Sequence, residues 1–259
     1  MRVFLSNLVS GAVSAPQINS TASLAPFENA GFFYQPQFNK PLSEVSLDEL
    51  AEARPRVHRA IARRVPGFIF IKTHHLLGNH RGTPTITPEV TAAAIYLVRN
   101  PLDIVVSYSA FRAIGIDTTI GLLNQPGRML PKSKSTSYQL IGSWSENVES
   151  WTRNSPRGLL IVRYEDILDD PLAEFTRIVR FLRMDASDEA IARAQELSAF
   201  TILRDVEESF GFNERPSTTK NFFRSGRKDE WKDVLTPAQI SKIVEPNIQL
   251  MRQFGYWKY

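Results

Sequence analysis

The sequence predicts an α/β fold on a mainly parallel sheet, and three observations carry that expectation. Two segments, AIYLVRN (94–100) and GLLIVRYED (158–166), are almost continuously apolar before turning polar, as strands are when both sheet faces are covered. Each is followed by a readable helix start: Asn100 as cap with Pro101 at the first helical position, then Asp170 with Pro171. A third segment, FIFIKTH (68–74), reads as another strand running into charged residues. Strands that alternate with helices make a parallel sheet, and ligands of such folds gather at the carboxyl ends of the strands.

The remaining elements follow in chain order. In MRVFLSNLVSGA, apolar residues at Met1, Phe4, Leu5, Leu8 and Ala12 keep the spacing of an amphipathic helix, although no Ser, Thr, Asp or Asn caps it. A secretory signal ending in Val13-Ser14-Ala15 is the competing reading, weakened by Ser6, Asn7, Ser10 and Gly11 inside the apolar region. Residues 14–45 are rich in Pro, Asn, Ser and aromatics without a sustained period, and read as a long ordered loop or lid. The segment 46–65 is helical, opened by a Ser46/Glu49 capping box and split or bent at Pro55. Further helices are predicted at 136–153, 172–183, 187–199 and 237–254, the last with a Thr236/Gln239 capping box and a bend at Pro246.

Composition narrows the function classes. The 259 residues are 42% hydrophobic and 22% charged, without internal repeats, and are read as one domain, 1–259. A net charge of +4 suits an anionic ligand but is too small an excess to imply nucleic acid. With no Cys there are no disulfides, thiolate metal sites or cysteine nucleophiles. Four histidines without an HExxH pattern give no histidine metal site to expect, and no metal is assigned. No apolar run reaches the roughly 18 residues of a transmembrane helix.

Each expected strand ends in groups a plain loop would not need: Lys72-Thr73-His74, Arg99-Asn100, and Arg163-Tyr164-Glu165-Asp166. A guanidinium beside a helix N-terminus, with the Ser107 hydroxyl two turns in, would make an anion site. The alternative is that Arg99 pairs with Asp103 or Glu165 while Ser107 only packs. The pattern by itself leaves both open.

Lys72-Thr73-His74, Arg99-Asn100-Pro101-Leu102-Asp103 with Ser107, Tyr164-Glu165-Asp166 and FFRSGRKDEWK (222–232) resemble, in order and rough spacing, the cytosolic-type sulfotransferases, above all their bacterial members. The resemblance runs over about the whole chain. It implies a P-loop NTPase-like three-layer fold, with the parallel sheet between helices, and a cytoplasmic location. It also implies sulfuryl transfer from 3′-phosphoadenosine 5′-phosphosulfate (PAPS) to a hydroxyl or amine of a small-molecule acceptor, with no metal.

Carried onto this sequence, the resemblance assigns Arg99 and Ser107 to the donor's 3′-phosphate, wrapped also by Arg224, Ser225 and Gly226. Ser225 stands where the family has Lys, one charge fewer. Tyr164, Ser198 and Phe200 fall beside the adenine. His74 is the expected general base, with His75 as fallback if the register is off by one, and Lys72 offsets charge at the sulfuryl group. Asp229 replaces the family's Gly before Trp231-Lys232, a change expected to alter a turn; Trp231 reads as core filler.

The resemblance also implies a strand and a Pro-Lys-Ser-Gly-Thr-Thr-Trp-type loop before the first helix, cradling the 5′-phosphosulfate. LPKSKSTSY (130–138) is no substitute: it lacks Gly and a strand before it, and reads as a basic loop. Either Met1 is internal to a longer protein, or the chain is short and binds only the adenosine 3′,5′-bisphosphate end, as a non-catalytic protein would. A P-loop kinase or GTPase is disfavoured, since no G-x-x-x-x-G-K-[ST] occurs. Segments 16–45, 115–135 and 206–220 are expected on the acceptor side. LTPAQ stands where many eukaryotic members carry a Thr-Val dimer segment, so that interface is not expected and the oligomeric state stays open.

Overall fold

The computed structural model describes residues 1–12, 16, 18–153 and 158–258. The Val13-Ser14-Ala15 stretch of the competing signal-peptide reading lies outside the described residues. The chain divides into two compact units. The first comprises Met1–Leu24, Ile95–Ile120 and Leu160–Glu245, and the second Ala25–Ala94, Gly121–Leu159 and Pro246–Tyr259.

The parallel pair of strands, Ala94–Val98 beside Leu159–Arg163, belongs to the first unit apart from its first residues. The expected helix starts follow both strands. Asn100 accepts the Leu102 N–H at 3.1 Å and opens the Pro101–Arg112 helix. Asp170 accepts the Ala173 N–H at 3.0 Å and opens Pro171–Phe181. The Arg2–Ser10 helix also forms; Gly11 ends it in the left-handed region at φ 62°, and Phe4 stacks on Phe175 with ring centres 4.0 Å apart. Burial of that aromatic pair does the anchoring that the missing N-cap cannot. The 187–199 helix stops at Glu196, and a further helix, Phe200–Phe210, occupies a segment expected in part to face the acceptor.

In the second unit the Leu47–Ala62 helix runs through Pro55 as one element. Its capping box is complete: the Ser46 N–H donates to Glu49 at 2.8 Å and the Glu49 N–H to Ser46 at 3.2 Å. Leu50, Val57 and Ile61 are buried with Tyr34, Leu42, Val45 and Tyr138, and that burial outweighs the backbone hydrogen bond that proline removes. Several short helices, among them Thr21–Leu24 of the first unit and Gly31–Tyr34 of the second, break up the expected 14–45 loop.

Two expectations are corrected here. FIFIKTH is not a regular strand: its one ladder position is the parallel bridge of Lys72 with Phe27. Lys72 N–H donates to Pro26 O at 2.9 Å and Glu28 N–H to Lys72 O at 2.8 Å, and Pro26, lacking an N–H, cannot extend the ladder. The 136–153 helix begins only at Trp144, because Gln139–Leu140 pairs antiparallel with Met129–Leu130. Between those strands lies the basic loop, as expected. There Lys132 caps the carbonyls of Leu42, Ser43 and Val45. No helix among the described residues is long and apolar enough to cross a membrane.

Candidate functional site

In the first unit, the guanidinium of Arg99 lies over the Tyr164 ring, 4.4 Å from its centre, and donates to the Arg227 carbonyl at 3.2 Å. A cation on an aromatic face is attracted by the ring quadrupole, so strand end and helix start hold each other. Burial raises the Tyr164 hydroxyl above its ordinary value, against the opposing pull of Arg99. Behind them Glu165 accepts the Asn100 N–H at 2.9 Å; its other carboxylate oxygen is buried with no hydrogen-bond partner among the described residues. Arg99 meets an aromatic ring and a carbonyl, and Asp103 and Glu165 accept backbone N–H groups.

Asp103 connects this corner to the 222–232 segment. Buried on the Pro101–Arg112 helix, it accepts the N–H of Asp229 at 2.8 Å and of Trp231 at 3.1 Å. Glu207, also buried, accepts the N–H of Phe222 at 2.7 Å and of Phe223 at 2.8 Å. Two buried carboxylates therefore hold the segment at Phe222-Phe223 on one side of the Arg224-Ser225-Gly226 turn and at Asp229 and Trp231 on the other. Gly226 is left-handed at φ 62°, and a Cβ there would meet the Phe200 ring at 2.4 Å. That close approach is open only to glycine, and it brings Phe200 to the Arg224-Ser225-Gly226 turn.

Ser198 accepts from Asn7 Nδ2 at 3.0 Å and donates to Ala194 O at 2.7 Å. The opening helix thus supports the serine expected beside adenine. Ser107 lies one turn after Asp103 on the same helix face. Arg224 forks onto Glu230, and Arg227 Nε donates to Ser225 Oγ at 3.2 Å. A second guanidinium therefore stands beside the serine that replaces the family's Lys. Asp229 adopts the left-handed φ of 65° at the position where the family has Gly. Trp231 is half-buried rather than core filler, with Nε1 buried and unbonded among the described residues. Guanidinium groups, a turn without a side chain at Gly226, and aromatic faces fit a phosphorylated purine nucleotide.

In the second unit, His74 is exposed and His75 buried, so consecutive imidazoles point to opposite sides of the segment. The His74 ring stacks near Phe27, centres 6.5 Å apart, and its Nδ1 lies 3.2 Å from Gln139 Oε1. Lys72 Nζ sits 4.4 Å from the centre of the Phe27 ring. His75 enters a buried cluster that sequence reasoning missed. Glu28 stands 3.0 Å from His58 Nε2 and 3.5 Å from His75 Nε2, and accepts from Tyr34 at 2.5 Å. Arg54, fully buried, lies 4.0 Å from the same carboxylate and over the Tyr138 ring. Burial alone would raise the Glu28 carboxyl; the hydrogen bond from His58 and the nearby His75 imidazole outweigh it and hold the group well below the usual carboxylate range. His75, the fallback base, is thereby committed to the core. Among the described residues no cluster of His, Cys, Asp or Glu could hold a metal ion.

Comparison with known proteins shows the family. A family model described as the sulfotransferase domain matches residues 16–255. Sulfotransferase 1B1 of Canis lupus familiaris is 30% identical over 162 residues, 60% of this chain and 53% of that protein. Sulfotransferase 1 family member D1 of Rattus norvegicus is 26% identical over 168 residues, 61% of this chain and 55% of that protein. The chain spans about half the length of the curated relatives it matches. Among solved structures, mouse sulfotransferase SULT7A1 complexed with PAP aligns with a TM-score of 0.55 at 23% identity, covering 74% of this chain and 69% of that one. Retinol dehydratase in a complex with retinol and PAP aligns at 0.62 and 17%, covering 97% and 76%. These likenesses carry the fold, the P-loop-like α/β architecture of sulfotransferases. The family match spans nearly all of the chain, and the chain belongs to the sulfotransferase domain family.

Proposed function

We propose that this protein is a PAPS-dependent sulfotransferase acting on a small-molecule hydroxyl or amine in the cytoplasm, and that residues 1–259 form a single sulfotransferase domain. The observation that carries the reading is the Arg99–Tyr164 stack, tied through the Arg227 carbonyl to the turn that Gly226 and Phe200 shape. A phosphate-binding cation and a purine-sized aromatic face share one corner. The family match across both units supports the single domain, and a relative named cytosolic sulfotransferase supports the location.

Arg99, Ser107 and the Arg224-Ser225-Gly226 turn hold the 3′-phosphate, and Tyr164, Ser198 and Phe200 hold the adenine. His74 accepts the acceptor's proton as its oxygen or nitrogen bonds to sulfur. The sulfur–oxygen bond to the 5′-phosphate breaks, and adenosine 3′,5′-bisphosphate leaves with the electron pair. Lys72 offsets the charge that develops there.

The test is incubation of the protein with labelled PAPS and a panel of phenols, alcohols and amines. Sulfated product is expected, lost in His74→Ala with bisphosphate affinity retained. Bisphosphate binding without any product would instead identify a binding protein, the reading left open by a match that covers about half of the curated relatives' length.

A further inference from the structure

Gln139 is buried, yet its carboxamide reaches the exposed His74 ring. Its Oε1 lies 3.2 Å from His74 Nδ1, and its Nε2 donates to Thr73 Oγ1 at 3.3 Å. Thr73 Oγ1 also accepts the His75 N–H at 3.1 Å. The backbone of this corner is held independently: Asn147 Nδ2 donates to the His74 carbonyl at 3.3 Å, and the Leu140 N–H donates to His75 Nδ1 at 3.0 Å. A neutral imidazole carries its proton on one nitrogen only, and the partner of the other nitrogen decides which. With the amide N–H directed at Thr73, the carbonyl oxygen faces Nδ1 and can only accept. Nδ1 then keeps the proton, and the lone pair stands on Nε2.

We propose that Gln139 is a positioning residue that fixes His74 in the Nδ1–H tautomer, leaving Nε2 as the proton acceptor. The proposal rests on the reading of His74 as the general base, but makes a separate claim about where the ring proton sits. The carboxamide turned over would place an N–H against Nδ1 and move the proton to Nε2, which could then accept nothing. Nothing in the motif Lys72-Thr73-His74 specifies this partner; it arrives from a strand more than sixty residues later in the chain.

The test is 15N NMR of the whole protein with labelled histidine, the His74 signals being assigned by their loss in His74→Ala. The expected result is Nδ1 protonated in the parent protein and a shift of the population to Nε2–H in Gln139→Leu. With it kcat should fall toward the about 10²- to 10⁴-fold that a general base contributes, while KM stays level. Gln139→Glu retains an acceptor at Nδ1 but cannot donate to Thr73, so it should restore the tautomer and most of kcat, which a purely structural amide would not allow. An Nε2–H tautomer in the parent protein, or an unchanged tautomer in Gln139→Leu, overturns the proposal. If the tautomer behaves as expected while His74→Ala still turns over, the general-base reading falls and the positioning by Gln139 stands.

Discussion

Arg224 and Glu230 face each other through two hydrogen bonds, Nη1 to Oε1 at 2.7 Å and Nη2 to Oε2 at 2.6 Å. The fork satisfies a carboxylate that would otherwise be poorly solvated, and it pre-orients a guanidinium at the turn proposed to take the 3′-phosphate. The hydrogen bond from Arg224 holds the Glu230 carboxyl below its ordinary value of 4.5. Stability from a lowered carboxyl is present above that value and is lost as pH falls through the folded one. A Glu230→Gln variant should therefore lose less stability than the parent on acidification, read by urea unfolding at successive pH values.

Arg224→Ala should weaken adenosine 3′,5′-bisphosphate binding about tenfold by calorimetry, the equivalent of one charge-assisted contact. Arg224→Lys should recover only part of that, since an ammonium cannot keep the fork. An unaltered Kd in Arg224→Ala would confine the residue to its tie with Glu230.

The Glu28 cluster is a stability element. Glu28→Gln would leave Arg54 buried without its counter-charge, and breaking a buried pair in this way costs about 3–5 kcal/mol. Denaturant unfolding measures it. In the parent protein the contribution is full near neutrality and persists well into the acid range, because the folded carboxyl lies far below its unfolded value.

Gly226→Ala should cost about 2 kcal/mol of stability, from a left-handed backbone and a Cβ driven against the Phe200 ring. Displacing that ring should also weaken bisphosphate binding. Equal Tm and equal Kd for Gly226→Ala and the parent would show that the turn tolerates a side chain.

Asp229→Gly should gain about 1 kcal/mol, because a left-handed φ of 65° is unfavourable for a residue with a Cβ. The exposed Lys232–Asp229 pair it removes is worth little. A lower Tm in Asp229→Gly would mean that the aspartate side chain stabilises the turn by more than its backbone strain.

The elements legible in the sequence share a feature: each depends on residues a few positions apart. Asn100 with Pro101, Asp170 with Pro171, Ser46 with Glu49 and Thr236 with Gln239 all cap as their spacing requires. FIFIKTH failed as a strand because its pairing lay with Pro26–Glu28, in a segment without any period to announce it. The buried charges did leave a trace. Arg54 sits on the apolar face between Leu50 and Val57, and Glu207 follows Phe200 and Leu203 at helical spacing. A charged residue in an apolar stripe signals a buried partner, though not which one.

The sequence by itself determined the parallel α/β class and most of the capped helices, and it offered residue types suited to anion, purine and proton chemistry. The start at Trp144, the stop at Glu196 and the Phe200–Phe210 helix came only with the structure. Only the tertiary structure decided which of those groups hold one another. Arg99 rests on Tyr164; Arg224 is forked by Glu230; His75 belongs to Glu28 while His74 remains exposed against Gln139. The reason is physical. Helix propensity and capping are local terms, whereas the charge state and orientation of a polar group depend on burial and on partners that chain folding brings from far along the sequence.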